Sequence, residues 1–226
     1  SFNSGGLEKQ PGFKINRFLI HRLLQGVIYG DALMQCLLAT RPYEKVPGSA
    51  QALVEKWYKQ IHKDLKGANV FTFQKNIKQL VHDFDTLPAA PRTKPRVGIA
   101  GEIYVKFQPD ANNNLIQLIE EAGGEAMTAG LLDFFLYGTL DKPYRAKYLS
   151  GSKKSAFFST IGREVMEWYR KPYVNAIKKS KRFDNVDTIQ TVARGAARFL
   201  DLGNQAGEGW YLTGDMVDLI EKGCKR

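Results

Sequence analysis

Cysteine and histidine are scarce, with two cysteines and three histidines among 226 residues. Two cysteines cannot build a disulfide framework. Cys36 and Cys224, far apart and outside any C-x-x-C, cannot by themselves hold an iron–sulfur cluster, which takes about four ligands. His21, His62 and His82 each sit among Lys, Arg, Glu or Gln at helical spacing, so they are expected on polar surfaces and are poor candidates for metal or catalytic work. No G-x-G-x-x-G, G-x-x-x-x-G-K-[ST], G-x-S-x-G or H-E-x-x-H occurs, so dinucleotide, P-loop, hydrolase and zincin chemistry have no motif to rest on. No apolar run approaches the roughly 20 residues of a membrane span. No leader pattern opens the sequence at Ser1-Phe2-Asn3-Ser4-Gly5-Gly6, and no internal repeat or low-complexity tract is visible. The expectation is a soluble protein of a reducing cytoplasm, with no membrane contact and no metal or cofactor held within the chain.

The sequence has a 43% hydrophobic content, enough for a real core, and a formal charge of +10. The charge is unevenly placed. Twelve Lys or Arg against three acids lie between Asp141 and Arg182. Lys153, Lys154, Arg163, Lys178, Lys179, Lys181 and Arg182 are the candidate basic surface, suited to a polyphosphate ligand such as coenzyme A, an acidic partner or a nucleic acid.

Apolar periodicity predicts a helical region over residues 1–90. Phe13 to Leu38 reads as a helix bent or broken at Gly26 and Gly30-Asp31. Ser49 is expected to cap the next helix, which places Leu53, Trp57 and Ile61 inward and stops at Gly67. A third helix, capped by Thr72, carries Phe73, Ile77, Leu80, Val81 and Phe84 on one face. The three prolines of 87–95 end that region, and 91–226 is taken as a second one.

That second region opens with Pro95 to Ala100, a short apolar strand. After a loop, Asn112, Asn113 and Asn114 can cap a helix with Leu115, Leu118, Ile119 and Ala122 inward. Gly123-Gly124 ends that helix, and Glu125 to Thr128 forms a second strand. Strand, helix, strand is a right-handed parallel crossover, so the fold class is α/β: mainly helical, with a small, truncated parallel sheet of Rossmann-like or flavodoxin-like type. Ligands of such sheets collect beyond the carboxyl ends of the strands, which selects Gly101, Glu102, Tyr104, Lys106, Asn112, Asn113 and Asn114. The alternative is a loop whose asparagines only cap a helix, with Glu102 accepting hydrogen bonds from loop amides.

Farther on, Ser152 to Arg170 is a predicted helix with Phe157, Phe158, Ile161, Val165, Trp168 and Tyr169 inward, ended or kinked at Pro172. Rings buried in that way argue against single-strand nucleic-acid binding, which needs exposed stacking surfaces. Asp187 with Gln190 is the expected cap of a helix carrying Ile189, Val192, Ala193, Ala196, Phe199 and Leu200 inward. The glycine-rich loop 203–210 adds Glu208 and Trp210 to the candidate ligand residues. Thr213 is expected to cap a last helix, with Met216, Leu219 and Ile220 apolar, that stops at Gly223. With two strands and a final helix leading into Cys224-Lys225-Arg226, the sequence reads as a fragment of a longer polypeptide.

The stretches Val97 to Val105, Asn112 to Leu115 and Gly130-Leu131-Leu132-Asp133 resemble a region of the large CoA-substrate-specific enzyme activases, anaerobe proteins related to the 2-hydroxyacyl-CoA dehydratase system. Gly30-Asp31, the 41–49 linker and Gly207-Glu208-Gly209-Trp210 extend the resemblance over most of the chain. It implies an uncharacterised domain beside the dehydratase-like part, in a system that couples ATP hydrolysis through an iron–sulfur cluster to acyl-CoA chemistry. The ATPase motifs and cluster cysteines are absent here. What the resemblance implies is therefore an α/β scaffold piece without redox activity of its own, whose 101–114 loop borders an acyl-CoA or cluster site completed by other modules or a partner. A structural or interaction module with a solvated basic face is the alternative, and nucleic-acid binding a weaker third.

Overall fold

The computed structural model describes residues 16–203 and 208–224. The predicted helix start at 13–15, the loop residues 204–207 and the last two residues lie outside that range. Three helices come first, α1 (Arg17–Leu38), α2 (Ser49–Gly67) and α3 (Val70–Asp85). The crossover unit follows as β1 (Arg96–Gly98), α4 (Ile103–Phe107), α5 (Leu115–Glu121) and β2 (Glu125–Met127). Four helices close the chain: α6 (Leu131–Tyr148), α7 (Lys153–Lys179), α8 (Ile189–Ala196) and α9 (Gly209–Glu221). The fold is mainly helical, with β1 and β2 paired in parallel, Arg96 opposite Glu125 and Gly98 opposite Met127.

One large core joins residues from both sides of the 87–95 linker. Ile28, Tyr29, Ala32 and Cys36 of α1 meet Phe73, Ile77, Leu80 and Phe84 of α3, Leu132 and Leu136 of α6, and Tyr173 and Ile177 of α7. The predicted α3 stripe is buried as expected. A smaller cluster, Leu38, Ile99, Ile119 and Ala126, covers one face of the sheet. On the other face a Cβ at Gly98 would lie 3.1 Å from Leu219 of α9. β2 is therefore well buried, and β1 is half-buried with Gly98 still exposed, which gives a two-stranded sheet the cover it needs.

Several local expectations are corrected. α1 runs without interruption through Gly26 and Gly30. By length and composition it passes the test for a membrane span, but half of its most apolar window is buried in the fold. Asn69, not Thr72, caps α3, accepting from the amides of Phe71 and Thr72. Gly48 precedes α2 where Ser49 was expected, and the left-handed residue after it is Ala68, not Gly67. Thr188 caps α8 in place of Asp187, and Phe199 lies exposed beyond it. α9 begins before Thr213, whose hydroxyl donates to the Gly209 carbonyl within the helix. Met216 and Ile220 are exposed where Leu219 is buried. In α5, Ile119 is inward with Ile116 beside it, whereas Leu115, Leu118 and Ala122 face solvent.

The largest correction is in α7, which continues through Pro172 to Lys179. Two apolar stripes compete on this helix. The winner holds Met166, Tyr169, Tyr173, Ala176 and Ile177, packed against the core. It is anchored by Arg170, buried against Asp133 of α6 at 2.6 Å and Glu167 at 2.7 Å. Burying an arginine is tolerable only with such partners, so they fix the rotation of the helix. Phe157, Phe158, Ile161, Val165 and Trp168 consequently face solvent, Phe157 at 62% and Trp168 at 52% exposure.

Candidate functional site

The conspicuous chemistry is a buried ionic network along β2 and the start of α6, with α9 beside the sheet. Its first element is Asp31. From α1 its carboxylate accepts hydrogen bonds from the amides of Leu131 and Leu132 at 2.7 and 2.9 Å, capping a helix 100 residues downstream. Gly130, the formal cap residue, offers no side chain, and a Cβ there would lie 2.5 Å from Asp31 Oδ2. Burial, with Asp133 nearby, outweighs the two hydrogen bonds and raises Asp31 to a pKa of about 7.

Around the adjoining cavity, of about 90 Å³, the charges come in pairs. Glu125, fully buried, accepts from Tyr43 Oη at 2.8 Å and from the guanidinium of Arg92. Arg92 also reaches Asp184 at 2.9 Å. Lys222 sits between Asp218 at 2.6 Å and Asp187 at 3.2 Å. Burial raises Asp218 to about 6, with Lys222 opposing. Lys106 of α4 reaches into α9 to stand 3.5 Å from Asp215 Oδ2, its ammonium also 5.9 Å from the centre of the Tyr211 ring. Burial lifts Asp215 to about 6, Lys106 working against it and Asp133 with it. Neither Asp215 Oδ2 nor the Tyr211 hydroxyl has a hydrogen-bond partner among the described residues, although both side chains are 2% exposed.

The predicted ligand loop is distributed differently. Glu102 caps α4 by accepting from the Val105 amide, the modest role allowed for it. Asn112 joins the two turns, donating to the Val105 carbonyl and accepting from the Leu115 amide. Asn113 and Asn114 adopt left-handed backbone with φ of 55° and 53° and are exposed, as is Tyr104. A Cβ at Gly101 would meet open space. Lys106 is no loop cation but a buried partner of Asp215. Glu208 is drawn toward this group: burial and the nearby Glu102 raise its pKa against Lys106. Trp210 is buried, with Nε1 3.4 Å from Asp141 and its ring edge-on to Tyr137.

The candidate basic surface divides. Lys153 and Lys154 are exposed at one end of α7, Lys178 and Lys179 at the other, and a rise of 1.5 Å per residue separates Lys154 from Lys178 by roughly 36 Å. Lys181 is exposed. Arg182 is structural, donating to the carbonyls of Phe84 and Leu87 at 2.6 and 2.7 Å. Arg163 keeps little exposure beside Glu164 at 3.1 Å. His21 is half-buried, its ring nitrogens against Tyr169 Oη and the Ala68 carbonyl, whereas His62 and His82 are exposed. Cys36 is wholly buried, its thiol pKa pushed up by burial, and Cys224 Sγ lies 3.6 Å from Met127 Sδ. Among the described residues, no group of three His, Cys, Asp or Glu side chains could hold a metal ion.

Sequence reasoning missed Asp31, Asp133, Arg170, Tyr211, Asp215 and Asp218. The available signal was charge inside apolar periodicity: Asp31 between Tyr29 and Ala32, Asp133 within Leu131 to Leu136, and Asp215, Asp218 and Lys222 at i, i+3 and i+7 on one helix. A scan against protein-family models, a search of curated proteins and a search of solved structures each return no match for this chain.

Proposed function

We propose that this chain is a non-catalytic module of the CoA-substrate-specific enzyme activase or 2-hydroxyacyl-CoA dehydratase type, and that it contributes a docking surface to that system. The reading carries a Rossmann-like or flavodoxin-like sheet, a reducing bacterial cytoplasm, and an iron–sulfur cluster held by another module or partner. The residues behind the resemblance support the scaffold role, because most of them hold the fold together. Gly30-Asp31 and Gly130 to Asp133 meet where Asp31 caps α6. Arg41 clamps Glu120 through two hydrogen bonds, Tyr43 reaches Glu125, and Glu44 accepts from the amides of Gly48 and Ala50. The described residues do not fit a cluster of their own, since Cys36 is sealed in the core and Cys224 has no second thiolate beside it.

The observation that carries the docking role is the outer face of α7. Phe158, Ile161, Val165 and Trp168 recur at intervals of three and four, the spacing of a helix-packing seam, with Phe157 alongside. Lys153 and Lys154 precede this seam, and Lys171, Lys178 and Lys179 follow it. A partner helix with an apolar stripe and acidic ends complements it. The occupant in this reading is such a helix on the dehydratase-like module. Trp168 reports the event: adding the purified dehydratase-like module should shift its emission to the blue, and Trp168→Glu should abolish association. Unchanged emission at saturating module would refute the reading.

An acyl-CoA-side surface is the second reading, since Tyr104, Asn113 and Asn114 remain exposed beside the crossover. The separation of the α7 lysines and the burial of Lys106 count against it, because the phosphates of one CoA need converging cations.

A further inference from the structure

The cavity along β2 is walled by acid. Six carboxylates line it, Glu125, Asp133, Asp184, Asp187, Asp215 and Asp218, against two cations, Arg92 and Lys222. Behind the wall stand three more cations, Arg96, Arg170 and Lys106, and two more carboxylates, Glu167 and Asp31. Eight carboxylates thus share five cations in a region largely withdrawn from water. Ion pairing accounts for much of this, but it leaves the side facing α9 short of positive charge. There Asp215 depends on Lys106, a long 3.5 Å away, and the buried Tyr211 hydroxyl has no partner among the described residues. A phenol hydroxyl on a side chain 2% exposed, beside a carboxylate held by one cation at long range, is an unusual thing for a fold to leave unsatisfied.

We propose that this cavity binds a small primary ammonium ion, whose N–H groups donate to the Asp215 carboxylate and to the phenol oxygen of Tyr211. A carboxylate-lined wall rejects anions, and the carboxylates lack an arrangement of three metal donors. The aliphatic wall of Leu38, Ile177 and Val192 suits the short alkyl chain of such an ion. At about 90 Å³, the space holds roughly six waters, taking about 15 Å³ for each. The ligand is accordingly a short amine of about four to six non-hydrogen atoms, the size of propylamine or ethanolamine. Burial, helped by Asp133, raises the proton affinity of Asp215 in spite of Lys106. The proposal does not rest on the docking role, because the cavity and the outer face of α7 are separate sites.

The experiment is calorimetric titration of the full chain with propylammonium chloride and ethanolammonium chloride, with sodium chloride and tetramethylammonium chloride as controls. Saturable 1:1 binding of the primary amines is expected, at least tenfold tighter than tetramethylammonium, which has no N–H to donate. Asp215→Asn should weaken binding at least tenfold. Tyr211→Phe, which leaves the Lys106 pair intact, should weaken it severalfold and keeps the test valid if Asp215→Asn does not fold. Heats no larger than those of sodium chloride, or equal binding by wild type and Tyr211→Phe, would overturn the proposal and assign the cavity to water.

Discussion

Replacing Gly130 with alanine isolates the contact on which the network turns. Gly130 has φ −72° and ψ 162°, ordinary extended backbone, so alanine costs nothing in conformation. Space decides the outcome. The added methyl would lie 2.5 Å from Asp31 Oδ2 and 2.7 Å from its Cγ. The carboxylate cannot swing aside without releasing the amides of Leu131 and Leu132. Loss of the cap costs about 0.5–2 kcal/mol, and forcing the methyl into a packed interior adds about 1–3 kcal/mol. A destabilisation of about 3 kcal/mol is expected, or roughly 6–12 °C in Tm for a chain of this size. Gly138→Ala is the control. It lies in the same helix with no atom within 4 Å of the new Cβ, and helix propensity predicts a gain of about 0.5–1 kcal/mol. Urea unfolding with matched m-values measures both. A loss below about 0.5 kcal/mol for Gly130→Ala, the range of an indifferent surface change, or an equal loss for Gly138→Ala, would refute the argument.

Stability should fall as pH rises from about 5 to 8. Asp31, Asp215 and Asp218 have folded-state pKa values raised to about 7, 6 and 6. Their contribution is complete below the ordinary carboxylate value and is lost as pH passes through the raised ones. Asp31 alone corresponds to at most about 4 kcal/mol, at about 1.4 kcal/mol per pKa unit. Asp83 and Asp187, with lowered values, act oppositely only in more acidic solution. Thermal melts across that range check this, and a Tm that rises between pH 5 and 8 would count against it. Arg92→Met should cost about 3 kcal/mol by leaving Glu125 a buried, poorly paired charge. Arg92→Lys should recover only part of that, since one ammonium cannot reproduce the forked contact with Glu125 and Asp184; denaturant midpoints decide. Ile161→Asp on the exposed face of α7 should change stability by less than about 0.5 kcal/mol, and a larger loss would mean that this face is packed in solution.

Local patterns in the sequence carried the helices and the crossover, although not the caps, which fell one to five residues from the expected Ser49, Thr72, Asp187 and Thr213. The α3 stripe needed only 3.6-residue periodicity, and the parallel crossover only the order of strand, capped helix and glycine stop. Gly123 and Gly223 end their helices with φ of 84° and 86°, as glycine after a helix suggests. What stayed illegible depends on distant partners. α7 carries two apolar stripes, and the choice between them rests on Arg170 meeting Asp133, 37 residues away. Gly26 and the Gly30-Asp31 pair read as a bend or break in α1, whereas the helix runs on and the Asp31 carboxylate is held inside by the amides of α6. The 101–114 loop is selected because ligands collect beyond the carboxyl ends of parallel strands, but its Lys106 finds Asp215 more than 100 residues later. The acidic cavity was invisible for the same reason, since its carboxylates come from four separate stretches of chain.

The most direct test of the central claim is one set of calorimetric titrations, with the chain receiving either the purified dehydratase-like module or a short acyl-CoA, and inorganic triphosphate as the control. A surface module predicts saturable heat with the partner module, lost in Trp168→Glu, and acyl-CoA heat no greater than that of triphosphate and abolished by moderate salt. Thioester-selective binding that survives salt, together with indifference to Trp168→Glu, would contradict the account and make the chain a substrate-binding module.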